Sequence, residues 1–258
     1  MKRSCFGSLV LSAALAAGAG WAFRGDLERA WSKLGKPILV IGELKPEPDP
    51  ERYAVLKEEA ERWRLEFSKR YREARTDAAR KVVIGDARVF LEMLLPDMMS
   101  CWLGTPWDFN GTSETPGEGN IACGYFVATL LRDAGFRVHR YRLARQPSQN
   151  ILRTFLPSSE LSLRVGVPYP DYASELRQME PGIRIVGLDT HVGFIVGRAG
   201  AFRFVHSSGS EPWCVVDESE EDATVLERSN YRVQGSLTAN PAVIRKWLLG
   251  EKFPVHGH

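Results

Sequence analysis

A cysteine at the predicted start of a helix, followed by two histidines on a predicted β-hairpin, constrains the fold of this chain more than any other feature. Cys123 opens an apolar helix-forming run, and His191 and His206 lie in β-forming segments on either side of a turn. A two- or four-residue turn centred at residues 199–200 pairs Gly193 with His206. His191 then becomes a diagonal neighbour of His206, about 7–8 Å away on the same face, so one imidazole can orient the other.

The chemistry predicted for these three side chains is nucleophilic catalysis. A thiol attacks as its thiolate, and the thiol pKa of about 8.5 falls at a helix N-terminus or beside an imidazolium. We therefore expect Cys123 to be the nucleophile, His191 its general base and His206 the residue that orients His191. Two alternatives remain open. Cys123 is a buried, inert cysteine, or the three side chains bind zinc, although their spacing lacks a short paired motif.

The chain resembles the NlpC-type cell-wall peptidases over roughly residues 100–210. The motifs that carry the resemblance are Gly-Thr-Pro-Trp-Asp-Phe-Asn-Gly at 104–111, Cys123 with Phe126-Val127, Pro181-Gly182, His191-Val192-Gly193 and Phe204-Val205-His206. The resemblance implies an α+β, papain-like fold in which an antiparallel sheet packs against the helix that carries the nucleophile. It also implies hydrolysis of peptide bonds in peptidoglycan stem peptides, with Cys123, His191 and His206 as the catalytic residues.

The chain departs from the family at positions that contact the substrate. The family usually has Asp-Cys-Ser-Gly at the nucleophile, where the acidic residue and the serine help to bind a free amine of the substrate. This chain has Ala-Cys-Gly-Tyr at 122–125, so that contact is in doubt. We expect substrate contacts from Trp107, Asp108, Asn110 and Gly124, although Trp107 is nearly as well explained as a packed loop residue. An inactive papain-like module that binds wall peptides is the alternative to an enzyme.

The N-terminus has the pattern of an export signal. Lys2 and Arg3 precede an apolar run at residues 9–22, and small residues allow cleavage near Ala19 or Ala22. The run is short for a membrane span, which needs about 20 residues. The prediction is a signal peptide at residues 1–22 and a periplasmic or secreted protein, with an uncleaved anchor as the alternative.

Export has a consequence for the cysteines, because disulfides persist in oxidising compartments. Signal cleavage leaves Cys101, Cys123 and Cys214, an odd number that predicts a free, reactive thiol. A disulfide between Cys101 and Cys214 would leave Cys123 free, but the sequence does not show whether the two are close enough.

The rest of the chain is divided into a linker at 23–50, a helical extension at 51–99 and a catalytic domain at 100–258. An apolar stripe on the first helix either packs onto the catalytic domain, which we favour, or binds a partner; it consists of Tyr53, Leu56, Ala60, Trp63, Phe67 and Tyr71. Pro96 is expected to bend or end a second helix that begins near Asp77. Residues 140–182 are predicted to be loops with one short helix, and Asn240 is expected to cap a C-terminal helix.

Charge and composition give little support to one class of partner, nucleic acids. The chain has 34 basic and 32 acidic residues, and no basic stripe is evident, so nucleic-acid binding has little support. The expected partner is peptidoglycan or another peptide substrate, with no cofactor and no stable membrane span after signal cleavage.

Overall fold

The computed structural model describes residues 46–257 together with the isolated positions 25 and 29. The predicted signal peptide and most of the predicted linker lie outside the described residues. Within them the chain forms eight α-helices and one six-stranded antiparallel sheet, which confirms the α+β prediction at that level. No helix in this part of the chain is long and apolar enough to cross a membrane.

The helices lie before, between and after the strands. In chain order they are α1 (Pro50–Glu73), α2 (Asp77–Ser100), α3 (Cys123–Asp133), α4 (Arg140–Ala144), α5 (Ser148–Phe155), α6 (Tyr169–Gln178), α7 (Thr224–Arg228) and α8 (Pro241–Leu248), with a 3₁₀ turn at Ser158–Glu160.

The sheet has the strand order β1-β6-β2-β3-β4-β5. Its strands are β1 (Ser162–Val165), β2 (Gly182–Leu188), β3 (Val192–Arg198), β4 (Ala201–Ser207), β5 (Val215–Glu218) and β6 (Tyr231–Ser236). The prediction for residues 140–182 is incomplete, because this stretch contains β1 and three helices. β1 has four residues and pairs only with β6, which lies far along the chain, so no local pattern indicated it.

The predicted β3–β4 hairpin is confirmed in both turn and register. Arg198 pairs with Ala201 across a two-residue turn, and Phe194 pairs with Val205. Gly200 has φ +74°, a left-handed conformation that glycine adopts without steric cost. Because side chains alternate between the two faces of a strand, this register places His191 and His206 on the same face.

Both faces of the sheet are covered by helices. One large core contains the apolar faces of α1, α2, α3 and α8 and the inner face of the sheet. A smaller core on the other face is formed with α6 and α7. The apolar stripe of α1 therefore packs onto the rest of the protein, as favoured from the sequence. Trp63 contacts Phe90 of α2, and Phe67 and Phe90 both contact Trp247 of α8.

The predicted cap of the C-terminal helix is confirmed, whereas the predicted effect of Pro96 differs from the structure. Asn240 caps α8 by accepting hydrogen bonds from the N–H groups of Ala242 and Val243. Pro96 does not end α2, which continues to Ser100. The final turn of α2 is held because Met98 and Met99 are buried in the large core, so tertiary packing outweighs the lost hydrogen bond at the proline.

Candidate active site

Backbone hydrogen bonds within the loop before Cys123, and one side-chain hydrogen bond from the sheet, fix where α3 begins. The N–H of Ile121 donates to the Pro106 carbonyl, and the N–H of Ala122 donates to the Gly111 carbonyl, both at 2.9 Å. The Ser207 hydroxyl at the end of β4 donates to the Ile121 carbonyl at 2.6 Å. Cys123, the first residue of α3, is therefore held near the end of β4, on the face of the sheet that carries Val205, whereas His206 stacks on Phe204 on the other face.

Gly124 is required by packing. It is buried, and a Cβ atom at this position would lie 2.3 Å from the carbonyl oxygen of Ala144, at the end of α4. Any side chain would push α4 away from the first turn of α3. The expected substrate contact of Gly124 therefore reduces to its backbone N–H, which faces the Cys123 thiol.

The two histidines are in direct contact. His191 Nε2 and His206 Nδ1 are 2.7 Å apart, and the ring planes are nearly perpendicular. His191 is half-buried, whereas His206 is fully buried and stacks on Phe204. This is the pairing that the hairpin register predicted, and the interaction fixes the orientation of the His191 ring.

A third member of the array, Glu218, was not anticipated. Glu218 Oε2 lies 3.0 Å from His206 Nε2, on the opposite side of the ring from His191. Glu218 is the last residue of β5 and pairs with Phe204, which makes it a diagonal neighbour of His206, the same relation that His191 has. Val215 and Val216 indicated a strand here. The irregular loop between β4 and β5 prevents the pairing of the two strands from being predicted from the sequence.

At pH 7 both histidines of this array are neutral, and the Glu218 carboxyl group is partly ionised. Burial lowers the pKa of His206 to about 3. Burial, followed by the adjacent His206, lowers the pKa of His191 well below its usual range. Burial, followed by the negative charge of Asp222, raises the pKa of Glu218 to about 7. Glu218 is therefore the group of this array that titrates in the physiological range.

Ionisation of Glu218 determines the tautomers of both rings. A carboxylate only accepts hydrogen bonds, so the neutral His206 donates from Nε2 and its Nδ1 becomes an acceptor. His191 must then donate from Nε2, which leaves its Nδ1 unprotonated and basic. A protonated Glu218 can donate to His206 Nε2 instead, which reverses the direction of both hydrogen bonds. His191 then carries its proton on Nδ1, and this nitrogen can no longer act as a base. The array is thus competent as a general base when Glu218 is ionised.

The Cys123 thiol lies at the His191 end of β3. The backbone N–H groups of Val192, the residue directly after His191, and of Gly124 and Cys123 itself point towards the sulfur. Burial has the larger effect and raises the pKa of Cys123, while these donors lower it. The lowered pKa expected from the sequence is therefore not observed: the resting group is a thiol that needs a base, and the same N–H groups are placed to stabilise an oxyanion.

The other predicted substrate residues lie on the loop that precedes α3. Trp107 is half-buried and packs against Trp213, with ring centroids 5.5 Å apart. Asp108 accepts a hydrogen bond from the N–H of Asn110 at 2.8 Å, which shapes the turn, and Asn110 is exposed. The packing role considered for Trp107 is therefore observed, and its contact with substrate stays a prediction.

The zinc alternative receives no support from the geometry. Both ring nitrogens of His206 are occupied by His191 and Glu218, so His206 has no lone pair to offer a metal. Across residues 46–257 no group of three or more His, Cys, Asp and Glu side chains has the arrangement of a metal site.

Comparisons with known proteins add no assignment to this geometry. No protein-family model, curated protein or solved structure matched the chain. The functional conclusion rests on the site itself.

We expect Cys123 to be the first thiol that iodoacetamide labels in the native protein. None of Cys101, Cys123 and Cys214 forms a disulfide in the structure. Cys101 is 1% exposed, and burial raises its pKa to about 12, with a further contribution from the charge of Asp49. Because burial also raises the Cys123 pKa, its labelling rate should keep increasing with pH through the ordinary thiol range.

Mass mapping after brief treatment at several pH values measures the order of labelling. Faster labelling of Cys101 or Cys214, or a Cys123 rate that is the same in a His191→Ala variant, would contradict the assignment of Cys123 as an assisted nucleophile.

Proposed function

We propose that the protein is an exported cysteine hydrolase that cleaves a peptide or amide bond through Cys123, His191 and His206. The observation that carries this proposal is the ordered hydrogen-bond array from Glu218 through His206 to His191, the residue next to Val192, whose backbone N–H points towards the Cys123 thiol. Among the described residues no hydrogen bond joins His191 to Cys123, so the proton transfer between them is part of the proposal. A nucleophile, a base and an orienting group in series are the arrangement that acyl transfer requires.

The steps follow from the tautomers. His191 Nδ1 takes the proton from the Cys123 thiol as the sulfur attacks the carbonyl carbon, and His206 and Glu218 stabilise the resulting imidazolium. The N–H groups of Cys123 and Gly124 are donors for the negative oxygen of the tetrahedral intermediate. His191 then returns the proton to the leaving amine, which departs and leaves a thioester on Cys123. Water, deprotonated by His191, hydrolyses the thioester and restores the thiol.

The proposed substrate is the stem peptide of peptidoglycan, and the proposed fold family is papain-like. Support comes from the resemblance of residues 100–210 to NlpC-type peptidases and from the antiparallel sheet that packs on α3. The inactive binding module remains the second candidate. It is less favoured because the buried array of His206 and Glu218 carries a desolvation cost that a binding module does not require.

Digestion of purified peptidoglycan tests the proposal. The mature protein is expected to release fragments whose masses identify one cleaved peptide or amide bond, while Cys123→Ala releases none. Soluble stem peptides without sugar should be cleaved at the same bond. If the wild-type protein binds the wall but leaves both substrates intact over a range of pH, the binding-module interpretation replaces the hydrolase.

Export is part of the proposal and rests on the sequence of residues 1–22, which lie outside the described residues. Sequencing the N-terminus of the protein from its native host checks it. A new N-terminus after about residue 19 or 22 is expected, and an intact Met1 on cytoplasmic protein would contradict export.

A further inference from the structure

A groove lined by basic and apolar side chains lies at the end of α3 that is opposite to Cys123. Its volume is about 610 Å³, within the range usual for ligand sites. Arg132, in the last turn of α3, lines it and lies roughly 14 Å along the helix axis from Cys123 at 1.5 Å per residue. We call it the basic groove. It is separate from the catalytic array, so a ligand bound there is not the reacting group.

The walls of the basic groove are held together by backbone pairing and ring contacts. Arg137 and Lys252 form a parallel β-bridge, and the N–H of Phe253 donates to the Arg137 carbonyl at 2.9 Å. The rings of Phe136 and Phe253 have their centroids 5.6 Å apart, and both residues are buried. The C-terminal segment is thereby fixed beside the segment that follows α3, so the groove is part of the folded structure.

The basic groove is apolar inside and positively charged at its opening. Phe136 and Phe253 are buried, and Val138 and Val255 are half-buried. Three of the exposed residues that line it are cations: Arg137, Arg142 and Lys252. No acidic residue of the described part of the chain lines it.

The positive charge of the basic groove is not fully neutralised by the protein. The carboxylates bonded to its cations or next to them in sequence are in ion pairs: Glu61 with Arg137, Glu114 and Asp133 with Arg132, and Glu251 with Arg245. Across residues 46–257, neither Arg142 nor Lys252 forms an ion pair. Lys246 Nζ also lies 4.6 Å from the centre of the Phe253 ring and adds a further cation.

The positive charge continues into a second groove, of about 440 Å³, which shares Arg137 and follows the C-terminal half of α1. Arg64, Lys69 and Arg72 line this groove, with Glu73 as its one acidic residue among those described. No basic stripe is evident in the sequence, because these cations come from α1, from the segment after α3 and from the C-terminal segment. Two adjoining basic grooves provide more charge than one small anion requires and suit an extended anionic surface.

We propose that the basic groove binds an anionic phospholipid in a membrane surface. The phosphate group lies at Arg142 and Lys252, and an acyl chain contacts the apolar interior. Attraction of basic side chains to anionic headgroups and burial of apolar groups are the two contributions that hold proteins at such surfaces. A linear polyanion would be bound by charge alone and would leave the apolar interior unused. The inference goes beyond the proposed function and does not depend on whether Cys123 hydrolyses a substrate.

Co-sedimentation of the mature protein with vesicles tests the inference. The protein should bind vesicles of equal parts phosphatidylglycerol and phosphatidylcholine at least about tenfold more tightly than vesicles of phosphatidylcholine alone. Arg142→Gln combined with Lys252→Gln should weaken binding to the anionic vesicles by about thirtyfold, because each basic side chain near an anionic surface contributes about fivefold.

Hydrogen exchange measured by mass spectrometry locates the bound surface in the wild-type protein, independently of any variant. Exchange should slow in residues 136–142 and 252–255 when anionic vesicles are added, and it should stay unchanged in residues 224–230, which include α7. Slower exchange confined to segments outside both grooves would overturn the inference.

Arg198→Gln combined with Arg228→Gln is the matched control, since it removes the same charge. Both arginines are exposed and neither lines either groove. Equal weakening by this control, or equal binding to both kinds of vesicle, would overturn the inference. So would binding of polyphosphate without binding of vesicles, which would indicate a linear polyanion as the ligand. Loss of vesicle binding in the presence of glycerol phosphate would indicate a site for a free phosphate compound instead of a membrane.

Discussion

His191→Ala is expected to reduce turnover by about 10²–10⁴-fold, the usual contribution of a general base. The reason is specific to this site: burial raises the pKa of Cys123, so the thiol cannot ionise at neutral pH without a base beside it. Kinetics on a cleaved stem peptide measure the effect, and the rate of Cys123 alkylation substitutes until a substrate is in hand. An unchanged rate in both assays would remove His191 from the mechanism.

The orienting residues should show a graded response. His206→Gln is expected to retain more activity than His206→Ala, because an amide oxygen can still accept the hydrogen bond from His191 Nε2 whereas alanine cannot. If His206→Ala matches the wild type, the catalytic unit is a dyad of Cys123 and His191.

Glu218 adds a pH dependence to the same prediction. Wild-type activity should fall as the pH falls through about 7, where the Glu218 carboxylate becomes protonated and no longer holds His206 in the required tautomer. Glu218→Gln should remove that inflection. Asp217→Asn is the control, since Asp217 neighbours Glu218, is exposed and pairs with Arg203. An inflection that persists in Glu218→Gln would assign it to another group.

The hairpin was predictable because its determinants are local. A two-residue turn at Ala199 and Gly200 fixes the register of β3 and β4, and the register fixes which side chains share a face. The contact between His191 and His206 therefore followed from counting residues. The Asn240 cap of α8 was predictable for the same reason, since it depends on a few consecutive residues.

The remaining features depend on partners that are distant in sequence. Glu218 reaches His206 only through the register of β5, which follows an irregular loop, and β1 pairs with a strand about 70 residues later. The Cys123 pKa was expected to be lowered by the helix N-terminus. The packing of α3 against the sheet raises this pKa instead, because desolvation of the thiolate outweighs the effect of the backbone N–H groups. Local sequence specifies which groups meet along a hairpin, but tertiary packing sets their pKa values.

Trp247→Ala is expected to lower the free energy of unfolding by about 3–5 kcal/mol, a large share of the 5–15 kcal/mol typical of a native protein. Trp247 of α8 is fully buried, and its ring packs against Phe67 of α1, Phe90 of α2 and Phe136. Its indole N–H also donates to the Ala134 carbonyl at 2.7 Å, which would lose its partner.

The predicted division into a helical extension and a catalytic domain is tested by the same measurement. Because Trp247 joins α1 and α2 to the residues after α3, urea unfolding should show one transition, shifted as a whole by the substitution. Trp213→Ala is the matched control, since this tryptophan is 51% exposed and its loss should cost less than about 1 kcal/mol. Two separate transitions in the wild type, with only one of them shifted, would show that α1 and α2 unfold independently of the sheet. If Trp247→Ala lowers the free energy of unfolding no more than Trp213→Ala does, the stability of the core does not depend on Trp247.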